Sequence, residues 1–201
     1  MEFELEWADN SQLYFGLWER ETYRWIERGV SGTDWGVDVG AGAGELLVYL
    51  KKRARLPRVI AIEASESELD RIKRNLRLNE LQEGNGLAVI HAYASHHRGE
   101  NYIRLDDLDL GEGKIGFIKI DVEGAELDVL KGAEKILRER EVRLLIETHE
   151  EKLEEECKEF LSRLGYWVKV IKPYWWRKIL PELRIVEHNR WIYAEKTRVS
   201  G

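Results

Sequence analysis

Four apolar runs of this sequence end in acids: Asp38 within VDVGAGAGE, Glu63 closing VIAIE, Asp121 closing IKID with Glu123 two residues on, and Glu147 closing LLIE with His149 next but one. A carboxylate can hold a cationic or hydroxyl-bearing ligand. A histidine, whose ordinary pKa lies near neutrality, can take a proton from a hydroxyl. His149 is therefore the candidate general base, Glu147 could orient it or its neighbours, and Asp121 and Glu123 complete the candidate catalytic group. Each acid taken singly reads equally well as a helix N-cap or the partner of a helix dipole, and His149 as a capping histidine before an acidic helix. Asp121, Glu123 and Glu147 would also suit a hard cation such as magnesium, but their spacing compels none and no metal ligand is assigned.

The segment VDVGAGAGE carries glycines at 40, 42 and 44. Gly40 and Gly42 permit a tight turn and a close approach of backbone to ligand. A dinucleotide turn of the GxGxxG kind would need its third small residue at position 45. Glu45 occupies it, and a carboxylate at a helix N-terminus repels a pyrophosphate. Gly44 gives GxGxG instead, preceded by Asp38, which suits a nucleoside ligand with positive groups and no diphosphate. S-adenosylmethionine meets that description: Asp38 attracts its amino group, and Glu63, followed by Ala64, accepts from its ribose hydroxyls. A purely structural turn is the plainer reading, because GxGxG alone is a weak signal.

Strands and helices must position these residues. Short runs rich in β-branched residues predict strands over Gly36–Val39, Val59–Glu63, Leu87–His91, Gly116–Asp121, Val142–Glu147, Tyr166–Ile171 and Arg190–Lys196. They alternate with amphipathic helical patterns, which is the signature of an α/β fold with a parallel sheet, whose ligands collect at the carboxyl edge of the strands. Ser65 and Glu68 form a capping-box pattern before a helix with Leu69, Ile72 and Leu76 on one face. One helix after Asp121 is expected to bury Leu127, Leu130, Ile136 and Leu137. Cys157 shares an apolar face with Leu153, Phe160, Leu161 and Leu164, and reads as a buried structural thiol.

Composition narrows the classes further. The 201 residues with 43% hydrophobic content can build one domain with a substantial core. The net charge of -6 opposes a general nucleic-acid binder, and one cysteine excludes a disulfide framework or a cysteine-based zinc cluster. The acidic start MEFELEWADN is unlike a signal peptide, and no apolar run approaches a membrane span of roughly 20 residues, so a cytoplasmic protein is expected. With 35% charged residues, two glutamines and one methionine, the composition leans towards a thermophilic source.

The pieces VDVGAGAGE, VIAIEAS, RNLRLNEL, LDDL, IKIDVEGAELDVLKGA and LLIETHEE occur in the order seen in FkbM-type methyltransferases, and the chain resembles that family over about residues 36–151. DVEGAE is the most specific piece. The resemblance implies the class I methyltransferase fold, a doubly wound three-layer sandwich around a seven-stranded, mostly parallel sheet whose last strand is antiparallel. It also implies S-adenosylmethionine as cofactor and largely O-methylating chemistry, with the adenine placed after strand three, where Tyr93 could stack on the base or pack in the core. The organisation expected is one domain over 1–201: an N-terminal helical extension over 1–35, a cofactor-binding core over 36–151, and C-terminal strands with an aromatic, basic loop over 152–201. Monomer and homodimer both fit.

Outside these motifs, His96 and His97 form a histidine pair, but adjacent loop residues are expected to point apart into solvent. All eight tryptophans lie outside the core segment, at 7, 18, 25, 35, 167, 175, 176 and 191. Tyr174, Trp175 and Trp176, with Tyr14 and Trp18, are candidates for walls of an acceptor pocket; equally, the aromatics could staple the chain ends to the sheet or make a dimer face. Residues 163–198 hold nine lysines or arginines against three acids. That permits a rival reading as a nucleic-acid methyltransferase, opposed by the absence of a DPPY-type motif and by the overall charge. A protein methyltransferase, a nucleotide-binding protein without catalysis and a dehydrogenase complete the alternatives. The preferred acceptor is a small molecule, sugar or lipid-like hydroxyl.

Overall fold

A computed structural model of the chain describes residues 1–3, 20–174 and 188–197. Helix α1 (Tyr23–Val30) leads into β1 (Trp35–Val39), α2 (Glu45–Lys52), β2 (Arg58–Glu63), α3 (Glu66–Leu78) and β3 (Leu87–His91). Two short strands follow, β4 (Tyr93–Ala94) and β5 (Tyr102–Ile103), and then a 3-10 turn over Leu105–Asp107. The remainder is β6 (Ile115–Ile120), α4 (Glu126–Lys131), α5 (Glu134–Glu139), β7 (Glu141–Thr148), α6 (Glu151–Arg163), β8 (Tyr166–Ile171) and β9 (Arg190–Lys196).

Seven strands form one sheet in the order β3-β2-β1-β6-β7-β9-β8. All pair in parallel except β9, which runs antiparallel to both β7 and β8. Every strand expected from the sequence is present. The signal was strong because strands covered on both faces read as continuous apolar runs. On one face Val37, Val39, Ile60, Ile118, Ile120, Leu144 and Ile146 pack beneath α4, α5 and α6, through residues such as Val129, Leu137 and Leu161. On the other, Val59, Ala61, Phe117 and Leu145 meet α1, α2 and α3 through Trp25, Leu47, Leu50, Ile72 and Leu76. These three layers are the doubly wound sandwich.

Three local features differ from expectation. The helix after Asp121 is two short helices, because the Asp106 carboxylate of the LDDL turn inserts between them and accepts from the backbone N–H groups of Lys135 at 3.2 Å and Ile136 at 2.9 Å. Leu127 is only partly buried, and Val129 takes the core position instead. The capping box is half formed: Ser65 Oγ accepts from the Glu68 amide at 3.4 Å, but the Glu68 carboxylate turns to Arg71, and the Ser65 amide donates to Glu63 instead. The tryptophans also contribute more to the sheet than their positions suggested, since Trp35 and Trp191 are fully buried in β1 and β9.

Candidate active site

The strand order reverses between β1 and β6, and such a reversal opens a crevice at the carboxyl edge of the sheet. The register pairs Asp38 with Lys119 across those strands, and extends so that Asp121 and Glu147 close neighbouring β6 and β7. The loop after β1 is shaped by its glycines. Gly40, Gly42 and Gly44 all have positive φ (72°, 51° and 84°), a backbone region costly for residues with a Cβ. Their roles separate on packing. A Cβ on Gly40 would lie 1.8 Å from the Asp121 carbonyl oxygen, so this glycine serves the close approach of β1 to β6 and not the approach of a ligand. Gly42 has nothing within 4 Å of its missing Cβ and faces open space.

Asp38 is 1% exposed, and neither carboxylate oxygen has a hydrogen-bond partner. Burial pushes its pKa up to about 7, against the lowering influence of Lys119. A buried carboxylate without a donor favours a cationic partner. Glu63 has the opposite status: Oε2 accepts from the Gly42 amide and Oε1 from the Ser65 amide, both at 2.8 Å, so it ties the glycine loop to the start of α3 while each oxygen keeps a further acceptor position. The Ala64 carbonyl lies 3.1 Å from His91 Nε2, joining the ends of β2 and β3. Tyr93 is not a core residue. It is 57% exposed, its ring tilted against Tyr102 at 5.6 Å. Glu45 opens α2 as expected, its pKa raised by burial.

The catalytic candidates come together with one change of role. His149 Nδ1 lies 2.8 Å from Oε1 of Glu126, the fully buried first residue of α4. That hydrogen bond assigns the ring proton to Nδ1 and leaves Nε2 as the basic nitrogen. Nε2 in turn sits 3.9 Å from both Asp121 Oδ1 and Glu147 Oε1. Glu126, not Glu147, therefore orients the imidazole, and its hydrogen bond is the main cause of a raised His149 pKa. Asp121 is itself held by Lys119 at 2.8 Å through Oδ2. Glu123 is exposed on the turn before Gly124 and stands outside this group, although its charge also favours the protonated histidine. The carboxylates that could share an ion with His149 are Asp121 and Glu147, all within 4.8 Å of one another, and the set with Glu123 is not formed.

Three contributors went unnoticed in the sequence: Lys119, Glu126 and Asn75, whose amide donates to the Ala43 carbonyl at 2.9 Å and pins the glycine loop to α3. Tyr14, Trp18, Trp175 and Trp176, expected as acceptor walls, lie outside the described residues. Tyr174 is described; its amide donates to buried Glu21 at 2.7 Å, joining the chain after β8 to the segment before α1. Trp25 packs its ring 4.7 Å from Tyr193. No helix among the described residues is long and apolar enough to cross a membrane.

Residues 95–169 match the family model described as "Methyltransferase FkbM domain". No curated protein matches the chain. Among solved structures, the methyltransferase FkbM of Methylobacillus flagellatus KT is 22% identical with a TM-score of 0.63, covering 80% of this chain, which spans 43% of the length of that protein. An rRNA methylase of Streptococcus thermophilus is 16% identical with a TM-score of 0.61, over 90% of this chain and 98% of its own. TYW2 of M. jannaschii, in complex with AdoMet, is 18% identical with a TM-score of 0.54, over 89% of this chain and 76% of its own.

The fold is that of the S-adenosylmethionine-dependent methyltransferases of class I. Within that class its likeness is to the FkbM type, carried by residues 95–169, which include the DVEGAE turn and the Glu126–His149 pair. The glycine loop lies outside the matched segment. The residues present fit the cofactor: the donor-free carboxylate of Asp38 suits an amino cation, and the space over Gly42 admits a ligand.

Proposed function

We propose that this domain transfers the methyl group to a hydroxyl of a small-molecule, sugar or lipid-like acceptor. The observation that carries the reading is His149 Nε2, left basic by the Glu126 hydrogen bond and directed among the acids at the carboxyl edge of the sheet. A hydroxyl attacking carbon must lose its proton, and a positioned histidine suits that task. S-adenosylmethionine supplies an electrophilic methyl on its sulfonium. Asp38 would hold the amino group and Glu63 the ribose, with Ala64 and Tyr93 on the side of the base. The hydroxyl proton passes to Nε2, and Asp121 and Glu147 stabilise the imidazolium that results. Nothing in this scheme needs magnesium.

Calorimetry should show binding of S-adenosylmethionine and S-adenosylhomocysteine and none of NAD; the reverse pattern would sink the assignment. In cell extract supplied with labelled methyl donor, label is expected in small-molecule or lipid fractions. Label in nuclease-sensitive material would instead support the second reading, an RNA methyltransferase, which the rRNA methylase neighbour and the basic residues of 163–198 favour.

A further inference from the structure

The adjacent histidines after β4 do not diverge. The ring centroids of His96 and His97 lie 3.6 Å apart, and His96 Nδ1 pairs with the Asp128 carboxylate on α4. One nitrogen from each ring and one Asp128 oxygen all lie within 4.8 Å of one another. Their mounting is rigid. Ser95 Oγ donates to Asp128 Oδ2 at 2.5 Å and accepts from the His97 amide at 3.0 Å. Ser95 itself is buried, its amide donates to the Ile103 carbonyl at 2.9 Å, and its own carbonyl packs where a Cβ on Gly132 would lie 2.2 Å away. Arg98, the next residue, is drawn off to Asp107 at 2.7 Å and puts no cation into the cluster. Both histidines are exposed, so an ion can reach them.

We propose that His96, His97 and Asp128 bind one borderline divalent transition-metal ion, of the zinc, nickel or cobalt kind, which staples the turn after β4 to α4. Two imidazoles and a carboxylate suit such ions and discriminate against magnesium and calcium, which prefer all-oxygen ligands. Three protein ligands leave further positions to water, as in an open site. The site shares no residue with the His149 group.

The test is calorimetry and thermal melting of tag-free protein with zinc, nickel, cobalt(II) and magnesium chlorides. Wild type should bind one equivalent of the first three and none of magnesium, with Tm rising about 5 °C at a hundredfold excess over Kd. The exposed substitutions His97→Ala and His96→Ala/His97→Ala should weaken binding at least tenfold and remove the rise in Tm, while His149→Ala keeps both. Unchanged binding in the double variant, loss of binding in His149→Ala, or no binding by wild type would each overturn the proposal.

Discussion

Glu126 has no access to solvent, yet it holds His149, the proposed general base. Its hydrogen bond holds the His149 pKa above the ordinary 6.5, and the base must be neutral to act. The rate should therefore climb with pH through a limb above 6.5. Glu126→Gln removes the charge that favours imidazolium, so the limb should shift to lower pH and kcat fall about tenfold, against about a hundredfold for His149→Ala. A purely structural Glu126 would lower Tm and leave the limb in place. This role was hidden in the sequence because an acid in the first turn of a helix reads as a partner of the helix dipole. His96 and His97 were hidden for a related reason: neighbours along an extended chain point apart, and only the turn after Ser95 folds both rings to one side.

At the level of elements, the close approaches in the sheet are exacting. A Cβ on Gly116 of β6 would meet the buried Trp35 ring at 2.1 Å, and the indole is fixed by its N–H donating to the Gly113 carbonyl at 3.1 Å. Gly116→Ala should therefore cost about 1–3 kcal/mol in urea unfolding, with no change in cofactor affinity for the protein that remains folded. The seven strands were legible because each is a run of five to eight residues, the central ones buried almost throughout. Strands β4 and β5 were not, since two residues carry no periodicity. Nor was the break between α4 and α5, which is made by Asp106 from a distant turn and leaves only the local trace of Gly132. The acidic strand ends were legible individually, but which acid orients and which is oriented depends on how α4 enters the sheet edge.

For the molecule as a whole, Asp38 links stability to pH. Its folded pKa of about 7 exceeds the ordinary 3.8, so between those values the folded state keeps a proton that the unfolded chain has released. Stability then falls as pH rises through that window and stays lower above it, by on the order of 2–4 kcal/mol. Asp38→Asn should flatten this slope in urea melts between pH 5 and pH 8 and weaken S-adenosylmethionine binding; a slope that persists in the variant would assign it to other groups. The topology adds a consequence for biosynthesis. Strand β9 lies between β7 and β8 although it is made after both, so β8 has no place in the sheet until Lys196 has left the ribosome. Until then the nascent chain presents the bare edge of β7, a template for intermolecular pairing, which makes the time before β9 emerges the interval in which a chaperone has most to shield.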